Sequence, residues 1–599
     1  MTYKLIWDLE SIFAGGSESD ALRKRLDLLQ QQVTQYKDSV QQWETETDSP
    51  EFLVFTQLLK EYEIISKGFS ETMSFVTALQ SANVHDKKAN TLLGELFQFV
   101  TEFNDAQTIF SKKITTISDA DWELLLSTSS MKKQGIAFNL KEIRRDGQRL
   151  LSEKEESIIN NLSIDGFNAW SAHYDTVVAS IHIPFEGEEL SVGQAFNKMM
   201  GDPNPEVRKE LFDKWEKAWE EKAPIFADIL NHLDGFRLTN YKLHGEDDFL
   251  VKPLEYNRLK RETLMTMWET IAKNKELMVA YLTRKAQLFG KDKMEWQDQD
   301  APILLGDLKE KRFSFDQAAE FIIENFNQFS PKMAKFAQHA FNNSWIEAED
   351  RAGKRPGGYC TSFSESEESR IFMTYGESIN EVSTLAHELG HAFHSEVMWD
   401  LPVMSQDYAM NVAETASTFA ELIVADATLK SATSKEEKIN LIDVKMQNAI
   451  AMFMNIHARF IFEYNFYTKR QNQVLSDEDI TTLMLDAQKE AYANSLATYH
   501  PHFWASKLHF YIDDVPFYNF PYTFGYLFSL GIYAYAQQHT GNFEDSYIAL
   551  LRDTASMTTE ELAMKHLQVD LTQPDFWQAD IDIVKKDIEE FLSLTESYL

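Results

Sequence analysis

The sequence predicts a mainly α-helical protein with one small β element, and three observations carry that expectation. Proline (14) and glycine (22) are scarce for 599 residues, which favours long helices over a many-turned β architecture. Near the N-terminus, Leu22, Leu26, Leu29, Val33, Tyr36, Val40 and Trp43 recur at alternating steps of four and three, a regular seam for helix packing. Far along the chain, Gly358–Phe363 and Arg370–Tyr375 are β-rich runs on either side of the acidic turn Ser364–Ser369, and they read as a hairpin.

Taken in order, the N-terminal seam predicts one long helix. Ser49-Pro50-Glu51 then offers the cap, proline and acid of a new helix start, and a second helical stretch covers Glu51 to Phe110. Together they read as a helical hairpin packed on the rest; the same spacing also permits a coiled-coil dimer. Leu150 to Leu190 reads as a helix, a loop and a short strand pair around Ile181-His182-Ile183-Pro184. Asp202-Pro203-Asn204-Pro205 breaks the chain before another long helix. Gly357-Gly358, just before the hairpin, allows a tight turn or close backbone approach; it lacks the Lys-Ser/Thr and helix of a phosphate loop. The hairpin's edge can pair with an extended peptide backbone or serve as a purely structural ribbon.

The next helix carries chemistry. Ser378 or Asn380 can cap it, Glu381 suits its positive end, and Val382, Leu385, Ala386 and Leu389 mark its buried stripe. On it lies His387-Glu388-Leu389-Gly390-His391. Imidazoles four residues apart on a helix project about 40° from one another at a rise of ~6 Å, so both reach one metal ion. Glu388 points about 100° away from His387 and is free to hold a water at the metal's open position. Zinc with three protein ligands lowers the pKa of its bound water to near ~7, and a carboxylate that moves the water's proton to a leaving amine completes a peptide-bond hydrolase. With 15 His in the chain the five-residue pattern arises by chance in roughly 3% of comparable sequences, so context decides. The following helix supplies it. Asn411 to Glu421 holds two carboxylates, Glu414 and Glu421, seven residues apart on one face. In isolation Glu414 also reads as an exposed helix acid. His394 does not continue a His-x-x-Gly-x-x-His pattern and reads as structural or as support for the ligands. Asn411 and Glu421 are candidate acceptors for the ligands' free ring N–H.

Composition narrows the function classes. A net charge of −36 argues against nucleic acid and anionic membranes, which need basic surfaces; a solvated acidic surface accounts for it, or a field that draws cationic peptides. The lone Cys360 excludes an internal disulfide and fits a reducing cytoplasm. No apolar signal core or stretch of ~20 apolar residues is present.

Arg355-Pro356-Gly357-Gly358-Tyr359-Cys360, Met373-Thr374-Tyr375, His387 to His394 (HELGHAFH) and Glu414-Thr415-Ala416-Ser417-Thr418 resemble the oligoendopeptidase F branch of the M3 metallopeptidases, with the thimet oligopeptidases more distant. The similarity extends over most of the chain beyond about residue 110. It implies a mainly α, two-lobed metallopeptidase with a deep central channel that admits short peptides and excludes folded proteins. The expected regions are 1–110 (N-terminal helical hairpin), 111–200 (the rest of an N-terminal helical lobe, with the short β element) and 201–599 (catalytic domain). The implied cofactor is one zinc ion per chain, held by His387, His391 and Glu414, with Glu388 as general base and oligopeptides as substrates. In Lys507–Tyr511 and Phe517–Tyr526 the resemblance marks His509, Tyr522 and Tyr526, with Tyr518 behind them, as facing the metal and stabilising the tetrahedral intermediate. Here Ile512–Pro516 interrupts the family pattern. Without the resemblance, the aromatic run ending at Phe528 reads as helix core. Two other readings remain: a peptide-binding protein of the same fold without catalysis, and a helical zinc carboxypeptidase. The latter carries its third ligand in His-Glu-Ser-Gln, where this chain has Ala413-Glu414-Thr415, and needs a group for the terminal carboxylate that the sequence does not mark.

Overall fold

The computed structural model describes residues 2–45, 52–305, 312–538 and 543–599. It is mainly helical with two small sheets. Helix α1 (Asp20–Gln42) begins where Ser19 accepts from the Leu22 backbone N–H. Its predicted seam is buried from Leu22 to Val40, and Trp43 is buried just past the last turn. Each such side chain contributes about 1.5–3 kcal/mol of transfer free energy.

The proposed start at Ser49-Pro50-Glu51 lies outside the described residues. The stretch expected to run unbroken to Phe110 is two helices, α2 (Leu53–Ala82) and α3 (Lys87–Ile114). Short polar side chains break it: Asn83 Oδ1 accepts from His85 N at 3.1 Å, and Asp86 caps α3 by accepting from Lys88 N and Ala89 N at 3.0 Å. Such local bonds offer the backbone an alternative to helix. All three helices pack on one another, so α3 turns the expected hairpin into a three-helix group.

Two hydrophobic cores result. The smaller gathers side chains from Trp7 to Leu140 together with Phe363, Phe372 and Met404. The larger runs from Tyr174 to Phe591. Between Leu150 and Leu190 the expected loop is absent. Helices Glu153–Ser163 and Ala169–Ala179 are joined by a wide turn at Ile164–Asn168, whose Phe167 stacks on Phe236 at 4.9 Å. Tertiary stacking there overrides the loop-like composition. Strands β1 (His182–Phe185) and β2 (Glu188–Ser191) form the anticipated pair. Asn204 caps α4 (Pro205–Glu220), with Pro205 in its first turn, as the Asp202–Pro205 break predicts. Helix α5 (Ala223–Leu243) follows.

The second sheet has the order β3-β5-β4, with β3 (Ile346–Glu347) parallel and β4 (Tyr359–Phe363) antiparallel to β5 (Glu368–Phe372). The hairpin is the predicted one; β3 was not anticipated. Alternation along β5 sends Ile371 into the larger core and Phe372 into the smaller, so this sheet joins the two. Strand β4 packs against both α2 and the next helix, α6 (Ile379–Glu396). Helices α7 (Met410–Lys430), α8 (Ile456–Arg470), α9 (Phe520–Gln538) and α10 (Pro574–Thr595) complete the larger core. None of the described helices is long and apolar enough to cross a membrane.

Candidate metal centre and active site

Helix α6 starts with a reciprocal cap: Glu381 N donates to Ser378 Oγ, and Ser378 N donates to the Glu381 carboxylate at 2.7 Å. Ser378, not Asn380, is the cap. Val382, Leu385, Ala386 and Leu389 are fully buried, which fixes the rotation of α6 and sets His387 and His391 toward α7. A Cβ built on Gly390 would lie 2.5 Å from Ala416 O and 2.6 Å from Ser417 Cα. Only glycine lets α6 and α7 approach so closely. On the opposite side of α7, a Cβ on Gly525 of α9 would sit 3.2 Å from Glu414 Cβ and from Asn411 O. Glu414 therefore stands on a helix clasped between two glycine contacts.

The result is a triangle of donor atoms. His387 Nε2 and His391 Nε2 are 3.1 Å apart, and Glu414 Oε2 lies 3.4 Å from the first and 3.5 Å from the second. Among the described residues, this is the one group of three or more His, Cys, Asp or Glu side chains whose donor atoms converge closely enough to hold a metal ion. Ligands ~2.0–2.1 Å from a tetrahedral zinc lie about 3.3–3.4 Å from one another. The donor set and its spacing fit zinc.

Glu421, one of the two predicted supports, does accept from a ligand: His387 Nδ1 lies 2.6 Å from Glu421 Oε1. This orients the ring so that Nε2 faces the triangle. The other expectation is corrected. Asn411 Nδ2 donates to Thr559 Oγ1 and its backbone N–H to Asn257 Oδ1, both at 3.2 Å, because it sits on the α7 face turned to those residues. His394 is fully buried, stacks on Tyr408 at 4.2 Å, and places Nε2 3.0 Å from Thr554 Oγ1 and 3.1 Å from Leu551 O. Its role is packing.

Burial disfavours the charged form of His387, but the hydrogen bond it donates to Glu421 and the charges of Glu421, Glu414 and Glu388 prevail and raise it to about 9. Burial lowers His391 to about 4, and the charge of His387 adds to the shift. Burial pushes Glu388 up to about 7 against the pull of His387; a bound cation would draw it down again. Glu388 is 6% exposed and looks across at the hairpin, where a Cβ on Gly358 would come within 3.8 Å of its Oε1. His387, His391 and Glu414 keep 23%, 22% and 28% of their side-chain surface open to water, although burial is the leading influence on both rings.

Of the late aromatic candidates, His509, Tyr518 and Tyr522 come together, with ring centroids 5.4 Å (His509–Tyr518), 6.0 Å (His509–Tyr522) and 5.8 Å (Tyr518–Tyr522) apart. Tyr522 lies one turn before Gly525, on the side of α9 that meets Glu414, and the charge of Glu414 contributes, after burial and Tyr518, to raising its hydroxyl pKa. Burial, then Arg459 and Lys507, lower His509 to about 3, so it is a neutral imidazole. Tyr526, one turn further, is 8% exposed and packs edge-on to Phe453 at 5.8 Å; it does not join that group. The interrupting segment is anchored by Arg237, whose guanidinium donates to Ile512 O at 2.8 Å and Asp513 O at 2.9 Å. Sequence reasoning passed over Gly390, Arg459 and Lys507. Gly390 stood inside the motif, and Lys507 two residues before His509. Arg459 carries no local signal.

The family model for peptidase family M3 matches residues 198–583, and the one described as oligopeptidase F matches residues 113–182. The chain is 22% identical to an oligoendopeptidase F homolog of Borreliella burgdorferi over 98% of its own length and 97% of that protein's. A crystal structure of a peptidase from Chlamydophila abortus superposes with a TM-score of 0.84 at 20% identity, covering 99% of both chains. The oligoendopeptidase F of Enterococcus faecium superposes at 0.70 and 15% identity, over 96% of this chain and 99% of that one. The family match spans more than half of the chain, including the donor triangle and the aromatic cluster, and this protein therefore belongs to peptidase family M3.

Proposed function

We propose that this chain is a zinc-dependent oligoendopeptidase that hydrolyses internal bonds of short, unfolded peptides, with His387, His391 and Glu414 holding one zinc ion. The observation that carries this is the 3.1, 3.4 and 3.5 Å donor triangle with a buried carboxylate, Glu388, on the same helix. When bound, the ion supplies Lewis acidity toward a water and the scissile carbonyl. Glu388 accepts the proton of the attacking water as the water oxygen bonds to the carbonyl carbon. It then delivers that proton to the amide nitrogen as the C–N bond breaks, releasing an amine and a carboxylic acid. Glu421 holds the His387 ring through Nδ1–H.

The negative charge that develops on the carbonyl oxygen needs donors already in place. The Tyr522 hydroxyl and the neutral His509 ring are suited to that work, with Tyr518 packed against both; Tyr526, buried against Phe453, stands apart from them. The edge of β4 beside Glu388 at Gly358–Cys360 is where an extended substrate would pair, giving affinity through main-chain bonds with little side-chain preference. Further along that edge, Ser362 O already accepts from Ser70 and Ser74 hydroxyls at 3.0 and 2.8 Å. The partial burial of the three donor side chains favours short unfolded peptides over folded proteins, and the lone cysteine and acidic surface suit a cytoplasmic enzyme. The test is incubation with peptides of ~5–20 residues plus one folded and one unfolded protein, with and without a zinc chelator, each product followed by mass spectrometry. Internal cleavage of short peptides, abolished by chelator, is the expected result. Trimming from one end only, or no cleavage at stoichiometric zinc, would overturn the reading.

A further inference from the structure

Two cations sit next to the aromatic cluster with no acid paired to them. Arg459 of α8 is 9% exposed; its Nε donates to Asn455 Oδ1 at 2.9 Å and its Nη1 to Asn519 Oδ1 at 3.1 Å. Lys507 Nζ lies 5.2 Å from the centroid of the Phe503 ring, and Arg459 Cζ lies 5.3 Å from the same centroid. Two like charges thus crowd one aromatic ring, and neither forms an ion pair within 4 Å among the described residues. Asp300, the acid that acts on Lys507 from a distance, forms no such pair with it either. Glu463, near Asn519, is kept largely neutral, pushed up to about 8 by burial. Burial and the charge of Arg459 press Lys507 down to about 7. Buried charges are ordinarily paired; here the partners are rings and amides instead, Phe503 for both groups, Phe196 at 5.2 Å for Lys507, and Asn455 and Asn519 for Arg459.

Their position suggests what completes them. Asn519, which holds Arg459, accepts at its backbone oxygen from Tyr522 N at 3.2 Å, and Lys507 is two residues from His509.

We infer that Arg459 and Lys507 form a subsite for a carboxylate of the bound peptide. The carboxylate is either the peptide's C-terminus or an Asp or Glu side chain. The inference rests on the peptidase reading above and deepens it by naming a specificity determinant. Guanidinium and ammonium donors to a carboxylate make charge-assisted bonds, which are the stronger class.

The test compares matched N-terminally labelled peptides: free C-terminal acid against amide, and Glu against Gln at each position within four residues of the cut. Wild-type kcat/KM is expected to favour the carboxylate member of one pair by about 10-fold or more, chiefly through KM. Lys507→Gln and Arg459→Lys are each expected to shrink that ratio. A preference confined to the acid/amide pair identifies the terminal carboxylate; one confined to a Glu/Gln pair identifies a side chain. The same pairs, bound to the Glu388→Gln protein and followed by fluorescence polarisation, read the preference without turnover, so absence of cleavage tests the peptidase reading separately. Ratios near one for every pair, in both rate and binding, overturn the inference. So does a preference that both substitutions leave unchanged.

Discussion

A Cβ on Gly390 would fall 2.5 Å from the backbone oxygen of Ala416, so the third ligand's helix can reach the two histidines only because the residue before His391 has no side chain. Gly390→Ala must push α7 away. The expected outcome is a loss of about 1–3 kcal/mol of stability, as for overpacking elsewhere, together with weaker zinc retention, read by thermal denaturation and metal analysis on one sample. Unchanged metal affinity would separate the close crossing from the donor triangle.

Glu414 and Glu421 sit seven residues apart with different tasks, one facing both Nε2 atoms and the other His387 Nδ1. Glu414→Ala should strip the protein of zinc under mild chelation. Glu421→Gln should keep the ion but weaken it by about 10- to 100-fold, measured by competition with a chromogenic chelator. Equal effects would merge the two roles.

Much of this was legible in the sequence. The spacing of His387 and His391, the Ser378–Glu381 cap, the hairpin and the Leu22–Trp43 seam are local patterns whose physics is contained in a few consecutive residues. The misses share a cause. The break at Asn83–Asp86 lies inside an apolar periodicity that one helix or two satisfy equally. The wide turn at Ile164–Asn168 is set by Phe236, some seventy residues away. Strand β3 is two residues long, and Ile346–Glu347 has no period to read. Asn411 was assigned to a histidine by its place on α7, but α9 and the Thr559 region decide which side it shows. Arg459 lies on an otherwise ordinary core helix, and only the fold brings it to Lys507.

Zinc competes with a proton at His387. The ring is held protonated up to about 9 by Glu421, Glu414 and Glu388 despite its burial; zinc needs Nε2 without its proton, while Nδ1–H stays on Glu421. The group raised in the metal-free protein must therefore deprotonate on binding. Apparent zinc affinity should rise by up to tenfold per pH unit below about 9 and flatten above it. Zinc titrations at several pH values check this, and a flat profile from pH 6 to 9 would contradict it.

Tyr522→Phe and His509→Ala remove the proposed oxyanion donors. Each should lower kcat by about 10²–10³ with little change in KM. Tyr526→Phe, at the buried position against Phe453, should cost less. Losses confined to KM would move these residues from the reaction to substrate binding.

The most direct test is Glu388→Gln, with zinc content and turnover measured on the same preparation. One zinc per chain should remain, because Glu388 is not a vertex of the donor triangle, and peptide cleavage should nearly vanish, because the amide cannot take and return the water's proton. A fully zinc-loaded variant that keeps more than about a tenth of wild-type kcat would contradict the account.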